Sequence, residues 1–465
     1  MAGAKGMSAR ASTPHPTARQ RRETALWGVL VLVLAALYAG IAVLPAGVRA
    51  RSPTLDDMLF GLDQLRPMGP FAILLAVLAV VILRLPWRRV VPRLKAALST
   101  VERLRLRTRI LLATGVGIYS FVWFLGLRNQ FINPDGRAFA AKFLADVPAR
   151  GAHMTHDELL ELYVHSRFWY HTSRAFGWSV EYSYQFLSSL AGGVFVVLLL
   201  VFSRALLGVE RWIVLVLGVG SAGFMQLFFG DVENYTLVTL LLLVYLFAGY
   251  LYLEARIGLV VPSAVLALAI CFHLLAAFLL LSLAYLYVVA LRRRQWLGIV
   301  GGALTLVAIP VAVVAYFHYH GLPIEVIRTS NAFGQAGKLQ RFATPDLAYH
   351  GQITSLLLLL FPPVFFFVPL AAYRRIPLDP FNVFLLLAVC VLVVYVFTWR
   401  AALGVYNDWN LFAPAALPLS ILFWRNFARA EAPPMPALWN KAGIGAALML
   451  TSAVHSYAWI IANHV

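Results

Sequence analysis

The chain has 465 residues, 61% of them hydrophobic and only 12% charged, with 38 Lys and Arg against 20 Asp and Glu. A soluble domain carries roughly 25% charged residues, whereas apolar runs here repeatedly reach the length of about 20 residues that crosses a bilayer as a helix. Together with a mean hydropathy of +0.79, they exclude a soluble globular protein and predict an all-α, polytopic transmembrane fold. The net charge of +18 reads as Lys and Arg held on the cytoplasmic side of a membrane, so no nucleic-acid partner is expected. Cys271 and Cys390 both lie inside apolar runs and suggest neither a disulfide framework nor a thiolate metal site.

Residues 1–25, rich in Ala, Ser, Thr, Pro and Arg and ending near "RQRRE", read as a disordered cytoplasmic tail. The apolar run 26–46 is longer than a signal-peptide core, so it is taken as an uncleaved first span, although "VRA" before Arg51 has the small residues of a cleavage site. With a second span at 70–87 and the basic loop 88–109 it forms an N-terminal unit, 26–109. Further spans are predicted at 110–127, 184–206, 212–229, 236–254, 259–273, 275–291, 297–317, 353–372, 379–399, 411–424 and 442–462, about thirteen in all. Residues 110–424 make the transmembrane core and 425–465 a linker and last span. The run 259–291 is either two short spans or one long tilted helix. With the N-terminus inside, alternation places "RRVVPRLKAALSTVERLRLRTR" (88–109), "ARIG", "RRRQ", "YRRIP" and "RNFARA" all in the cytoplasm. That favours the split, the odd count and a location in the plasma (inner) membrane.

The opposite side carries two long loops, 128–183 and 318–352, which exceed simple connectors and point to function. The first contains "THDELLELYVHSRFWYHTSRAF" (155–176), whose apolar residues recur at helical spacing and predict an amphipathic helix lying in the interface. No internal repeat is found. "GVGSAG" (218–223) matches G-x-G-x-x-G but sits inside an apolar span with no strand before it, so small-residue helix packing explains it better than a dinucleotide. "HMTH" (153–156), with His165 and His171, matches no zinc spacing.

The acids are unevenly placed. Asp135 in "INPDGRAF", Asp231 and Glu233 in "GDVENY", and Asp408 in "VYNDWNLF" all fall outside, just beyond span ends. His273 in "CFHLLA" and His350 in "AYHGQI" reach the same surface. Each has a plain account alone. Asp135 starts a turn, Asp231 and Glu233 favour the dipole of span 236–254, and Asp408 caps the next span. His273 is then a satisfied core histidine and His350 an interfacial one. Capping does not explain why acids, and not bases, occupy these ends on one side.

This pattern resembles the GT-C superfamily of integral-membrane glycosyltransferases, which use polyprenyl- or dolichyl-phosphate sugars. Asp135 matches the acid of the first outer loop, ahead of an interfacial helix at 155–176. Asp231 and Glu233 resemble the second acidic motif. His350, before a span ending "LLLLLFPP", and Asp408 in "NDWNLF" are similar to later elements. The resemblance covers residues 110–424, with 26–87 as an addition. It implies a lipid-linked sugar donor, a lipid, glycan or protein acceptor, and inversion at the anomeric carbon. Such transfer needs a carboxylate to take the acceptor's proton and positive charge or a metal at the departing phosphate. Asp135 is the expected base. Arg137, Lys338, Arg341 and Arg400, helped by His273, His350 and Asp408, are the expected substrate and phosphate contacts. Asp231 and Glu233 either take part in catalysis or hold a divalent cation such as Mg²⁺ or Mn²⁺; no other cofactor is expected. A secondary transporter or lipid flippase would instead bury ionisable groups near mid-membrane. A non-catalytic envelope assembly protein would need no acid cluster.

Overall fold

Apolar runs separated by charged or aromatic turns fold here into helices that run up and down between two chemically distinct ends. The computed structural model describes residues 25–33, 85–322, 347–367, 376–430 and 441–464, apart from 131, 156, 323, 400, 402, 403 and 406 where these fall within them, together with residues 18, 22, 36, 78, 81, 82, 324 and 370. Most of the tail 1–25, most of spans 26–46 and 70–87, and Lys338, Arg341 and Arg400 lie outside the described residues.

The helices begin with α1 (Trp87–Arg103), α2 (Leu106–Gly126), α3 (Pro134–Arg150), α4 (Leu159–Phe176), α5 (Val180–Leu207) and α6 (Trp212–Gly220). They continue with α7 (Thr236–Leu253), α8 (Val260–Phe272), α9 (Leu280–Arg292), α10 (Trp296–Tyr319) and α11 (Leu347–Leu360). The last are α12 (Pro380–Thr398), α13 (Trp409–Arg429) and α14 (Lys441–His464). Among the described residues, eight helical segments are long and apolar enough to cross a membrane, which makes this a multi-pass membrane protein.

Two predicted spans are not continuous helices. Span 212–229 stops at Gly220 and resumes as a 3₁₀ segment, Gly223–Phe228. The freed Ser221 carbonyl accepts the hydroxyls of Ser452 and Ser456, each at 2.8 Å. This is how a broken helix at membrane depth keeps its backbone satisfied. Gly223 sits so close to the neighbouring chain that a Cβ would lie 1.9 Å from the Leu359 carbonyl oxygen, and one on Gly218 would meet the Trp424 ring at 2.3 Å. Gly218 and Gly223 of "GVGSAG" are thus packing residues, whereas Gly220 is exposed with open space around it. Span 353–372 likewise passes from α11 into a 3₁₀ turn, Pro362–Phe366. The run 259–291 divides at His273, which is extended (φ −151°, ψ 130°) between α8 and the 3₁₀ turn Leu274–Leu279.

α13 is the centre. It packs against α5, α6, α7, α11 and α12, and nearly every residue from Trp409 to Ala428 is buried. The basic end closes with side chains capping helix termini. Arg293 donates to the Tyr252 and Leu253 carbonyls at the end of α7, at 3.2 and 2.8 Å. Asp379 accepts the Asn382 N–H to cap α12 and pairs with Arg425 at 3.0 Å and Arg429 at 2.9 Å. Because Arg425 is buried, removing its counter-charge leaves a desolvated guanidinium, worth about 3 kcal/mol. Asp379→Ala is expected to lower the thermal unfolding temperature in detergent markedly. The paired replacement Asp379→Leu with Arg425→Met should recover part of that loss, and equal losses for single and double variants would rule the account out.

Candidate active site

At the other end, the polar face at the start of α5 holds the "GDVENY" segment. Tyr184, Gln185 and Ser188 lie on one side of the helix. The Ser188 hydroxyl donates to the Asp231 carbonyl (2.8 Å) and lies 3.3 Å from the Thr236 hydroxyl. Tyr184 donates to Asn234 Oδ1 at 3.2 Å, and Gln185 to the Asn129 carbonyl at 2.8 Å. Gly230, with φ of +70°, makes the sharp turn that a Cβ would disfavour.

The long first loop is mostly helix, α3 and α4, and it covers this segment. The plain account of these acids as capping groups at exposed helix ends does not hold: Asp231 and Glu233 are only 3% exposed and Asp408 7%. The predicted amphipathic helix is α4, but its buried side carries Glu161, His165, Ser166 and Thr172 and packs on α5 and α8. A polar face directed inward, not toward water, is what seals the site.

Two α4 glutamates missed by sequence reasoning grip the segment. Glu158 accepts Asn234 Nδ2 at 2.8 Å and faces His273 Nε2 at 3.3 Å. His273 Nδ1 accepts the Leu275 N–H at 3.1 Å, so its proton sits on Nε2, the atom beside Glu158. His273 is therefore a member of the polar network. Glu161, fully buried, accepts the Leu237 N–H at 3.3 Å. It places a carboxyl oxygen at the N-terminus of α7, where Asp231 and Glu233 were expected. Its neighbour His165 lies 3.4 Å away and stacks on Tyr184 at 3.8 Å. Burial raises the Glu161 carboxyl and pulls His165 down to about 3, so the imidazole is neutral at neutral pH. In the sequence both glutamates look like the solvated face of an amphipathic helix.

Asp408 precedes α13 without a side-chain capping bond, which removes its plain account as a cap. "NPDG" is not a free turn either. Asn133 caps α3 by accepting the Gly136 N–H at 2.8 Å, with Pro134 and Asp135 in its first turn. Asn133 also donates to the Asn407 carbonyl at 3.3 Å, and a Cβ on Gly136 would meet the Val232 carbonyl oxygen at 2.5 Å. The backbone carrying Asp135 is thereby held between the 231–233 segment and the start of α13. Arg137 is exposed and donates to the Ile132 carbonyl at 3.1 Å. His350, in the first turn of α11, lies 6.0 Å from the Phe397 ring, and Tyr349 beside it bonds the Trp399 carbonyl. Among the described residues no three His, Cys, Asp or Glu side chains converge as a metal site. Asp231 meets Asn410, which donates to its Oδ2 at 3.3 Å.

Tyr235 lies at the centre of the cluster. Burial, and then the charges of Glu158, Tyr395, Glu233 and Asp408 around it, raise its phenol well above the usual range. Carboxylates from α4, the 231–233 segment and the start of α13 thus share one small region. Burial also raises Asp231 to about 7, against the lowering effect of the Asn410 bond. A folded state that keeps this proton to about pH 7, when an unfolded aspartate loses it near 3.8, is destabilised progressively as pH rises between those values. Asp231→Asn is expected to flatten that slope: its unfolding temperature should fall less between pH 5 and 8 than the parent's. Identical pH slopes would remove Asp231 as the titrating group.

No protein-family profile and no curated protein matches the sequence. Solved structures do. ArnT from Cupriavidus metallidurans bound to undecaprenyl phosphate is 13% identical, with 77% of each chain covered and a TM-score of 0.54. The same protein in its apo state is 12% identical, with 77% of this chain and 76% of that one covered, at the same TM-score. The chain thus shares its fold with ArnT over about three quarters of its length.

Proposed function

We propose that the protein is a membrane glycosyltransferase that moves a sugar from a polyprenyl-phosphate donor to an acceptor hydroxyl at the acid-lined end. The observation that carries this reading is the gathering of Glu158, Glu233 and Asp408, from three separate parts of the chain, around Tyr235 at one end of an ArnT-like bundle. A transporter is disfavoured because this acid cluster lies beyond helix ends and not at mid-span.

In the proposed reaction the acceptor oxygen bonds to the anomeric carbon as the carbon–oxygen bond to phosphate breaks. The phosphate leaves with the electron pair, and the acceptor's proton passes to the Asp135 carboxylate. Asp135, in the first turn of α3, is placed by its backbone beside the 231–233 segment. The Leu275 N–H fixes the His273 tautomer, leaving its one N–H on Nε2 beside Glu158, a donor suited to a hydroxyl or phosphate oxygen that comes within reach. Arg137, Lys338, Arg341, His350, Arg400 and Asp408 are the proposed substrate and phosphate contacts. Asp231 and Glu233 shape the site's charge. The basic end is the cytoplasmic one in this reading.

The test is transfer from a panel of radiolabelled polyprenyl-phosphate sugars in membranes, with expression checked for each variant. Asp135→Asn keeps the size and cap geometry of α3 but cannot take a proton, so turnover should fall about 10²–10⁴-fold. Near-native transfer by Asp135→Asn, with Asp231→Asn or Glu233→Gln inactive, would move the base to the "GDVENY" segment. Glu158→Ala, which releases both Asn234 and His273, is expected to lower turnover without loss of membrane insertion. Unchanged turnover would leave Glu158 a structural role only.

A further inference from the structure

α1 lies at the basic end, directly before α2, and has three distinct sides. Lys95 and Glu102, seven positions apart and so on one side, tie it to the bundle. Lys95 pairs with Glu210 at 2.5 Å, and Glu102 with Arg109 at 2.6 Å and with Arg204. A second side carries Val90, Leu94, Ala97 and Val101, spaced i, i+4, i+7 and i+11, which makes a continuous apolar stripe. Among the described residues nothing covers the stripe: Val90, Leu94 and Val101 are 37%, 44% and 43% exposed. A third side holds the exposed Arg89, Arg93, Ala96 and Arg103.

The following helix, α2, is itself largely uncovered, with Leu111 and Ile118 more than half exposed, as suits a span that faces lipid. α1 therefore sits at the level where the bilayer ends. We infer that α1 is a membrane-surface helix that sinks its Val90–Leu94–Ala97–Val101 stripe into the leaflet at the basic end and holds anionic phospholipid headgroups with Arg89, Arg93 and Arg103. A basic helix with one apolar stripe has the chemistry for such a surface. An arginine near an anionic leaflet is worth about 1 kcal/mol, roughly a fivefold preference. The ion pairs of Lys95 and Glu102 set the roll of the helix, so the stripe turns away from the bundle. The site at the opposite end plays no part in this interaction.

The test uses the full-length chain in nanodiscs of phosphatidylcholine alone or mixed with phosphatidylglycerol. Leu94→Cys, Val101→Cys and Ala96→Cys are made singly in a background of Cys271→Ala and Cys390→Ala, and each is labelled with an environment-sensitive fluorophore. Labels at 94 and 101 are expected to be quenched by spin-labelled lipid and shielded from aqueous iodide, and the label at 96 the reverse. Replacing Arg89, Arg93 and Arg103 by Gln should weaken lipid-side protection about fivefold per residue in phosphatidylglycerol discs and leave phosphatidylcholine discs unchanged. Iodide reaching 94 and 101 as freely as 96 overturns the inference. So does shielding of both positions from both quenchers, which means that protein covers the stripe. An arginine variant that behaves alike in the two lipids overturns the headgroup assignment.

Discussion

Two glutamates one helical turn apart on α4 hold the acid-bearing segment where it is. Glu158 takes the Asn234 side chain and Glu161 takes the Leu237 backbone. Buried polar groups are costly unless each finds a partner. The segment from Gly230 to Thr236 has left helical geometry and so depends on partners from α4 and α5. Remove that grip, and the carboxylates, Tyr235 and the N-terminus of α7 all lose their reference. The first outer loop is thus a structural half of the site and not a cover added to it.

Burial also changes what the acids are. An exposed aspartate is an ordinary anion at neutral pH. Asp231, enclosed and bonded only by a neutral amide, holds its proton to about 7. A carboxyl tuned in this way by its surroundings is a common means for a site to combine proton acceptance with charge stabilisation. The salt-bridged end works by the opposite rule. There one carboxylate, Asp379, is shared by Arg425 and Arg429, and the network serves position and not chemistry.

Much of this was legible in the sequence. Hydropathy predicts the apolar helices but not α1 or α3, which lie in stretches read as loops, and the basic turns predict that "RRRQ" and "RNFARA" share an end. The small residues of "GVGSAG" announce close packing, and His273 marks the division of a long apolar run. What stayed hidden depends on distant partners. The break after Gly220 is stabilised by Ser452 and Ser456, more than two hundred positions away, and no local pattern at Ser221 shows it. Glu158 and Glu161 sit in an amphipathic stretch whose polar side could face water or protein with the same periodicity. Only packing on α5 and α8 decides it. Tyr235, an aromatic at a span boundary, looks like an interfacial anchor until the acids around it are seen.

The central position of α13 bears on how the chain is assembled. It is the least apolar of the candidate spans, interrupted by Pro414 and Pro418 and carrying Asn410, Arg425 and Asn426, so lipid is a poor solvent for it. Ribosomal synthesis delivers it late, after α5, α6, α7, α11 and α12, the helices that surround it. Until α13 has been made, the helices that pack on it lack their shared central contact. A nascent chain cut before Trp409 has most of its spans but no axle to mount them on.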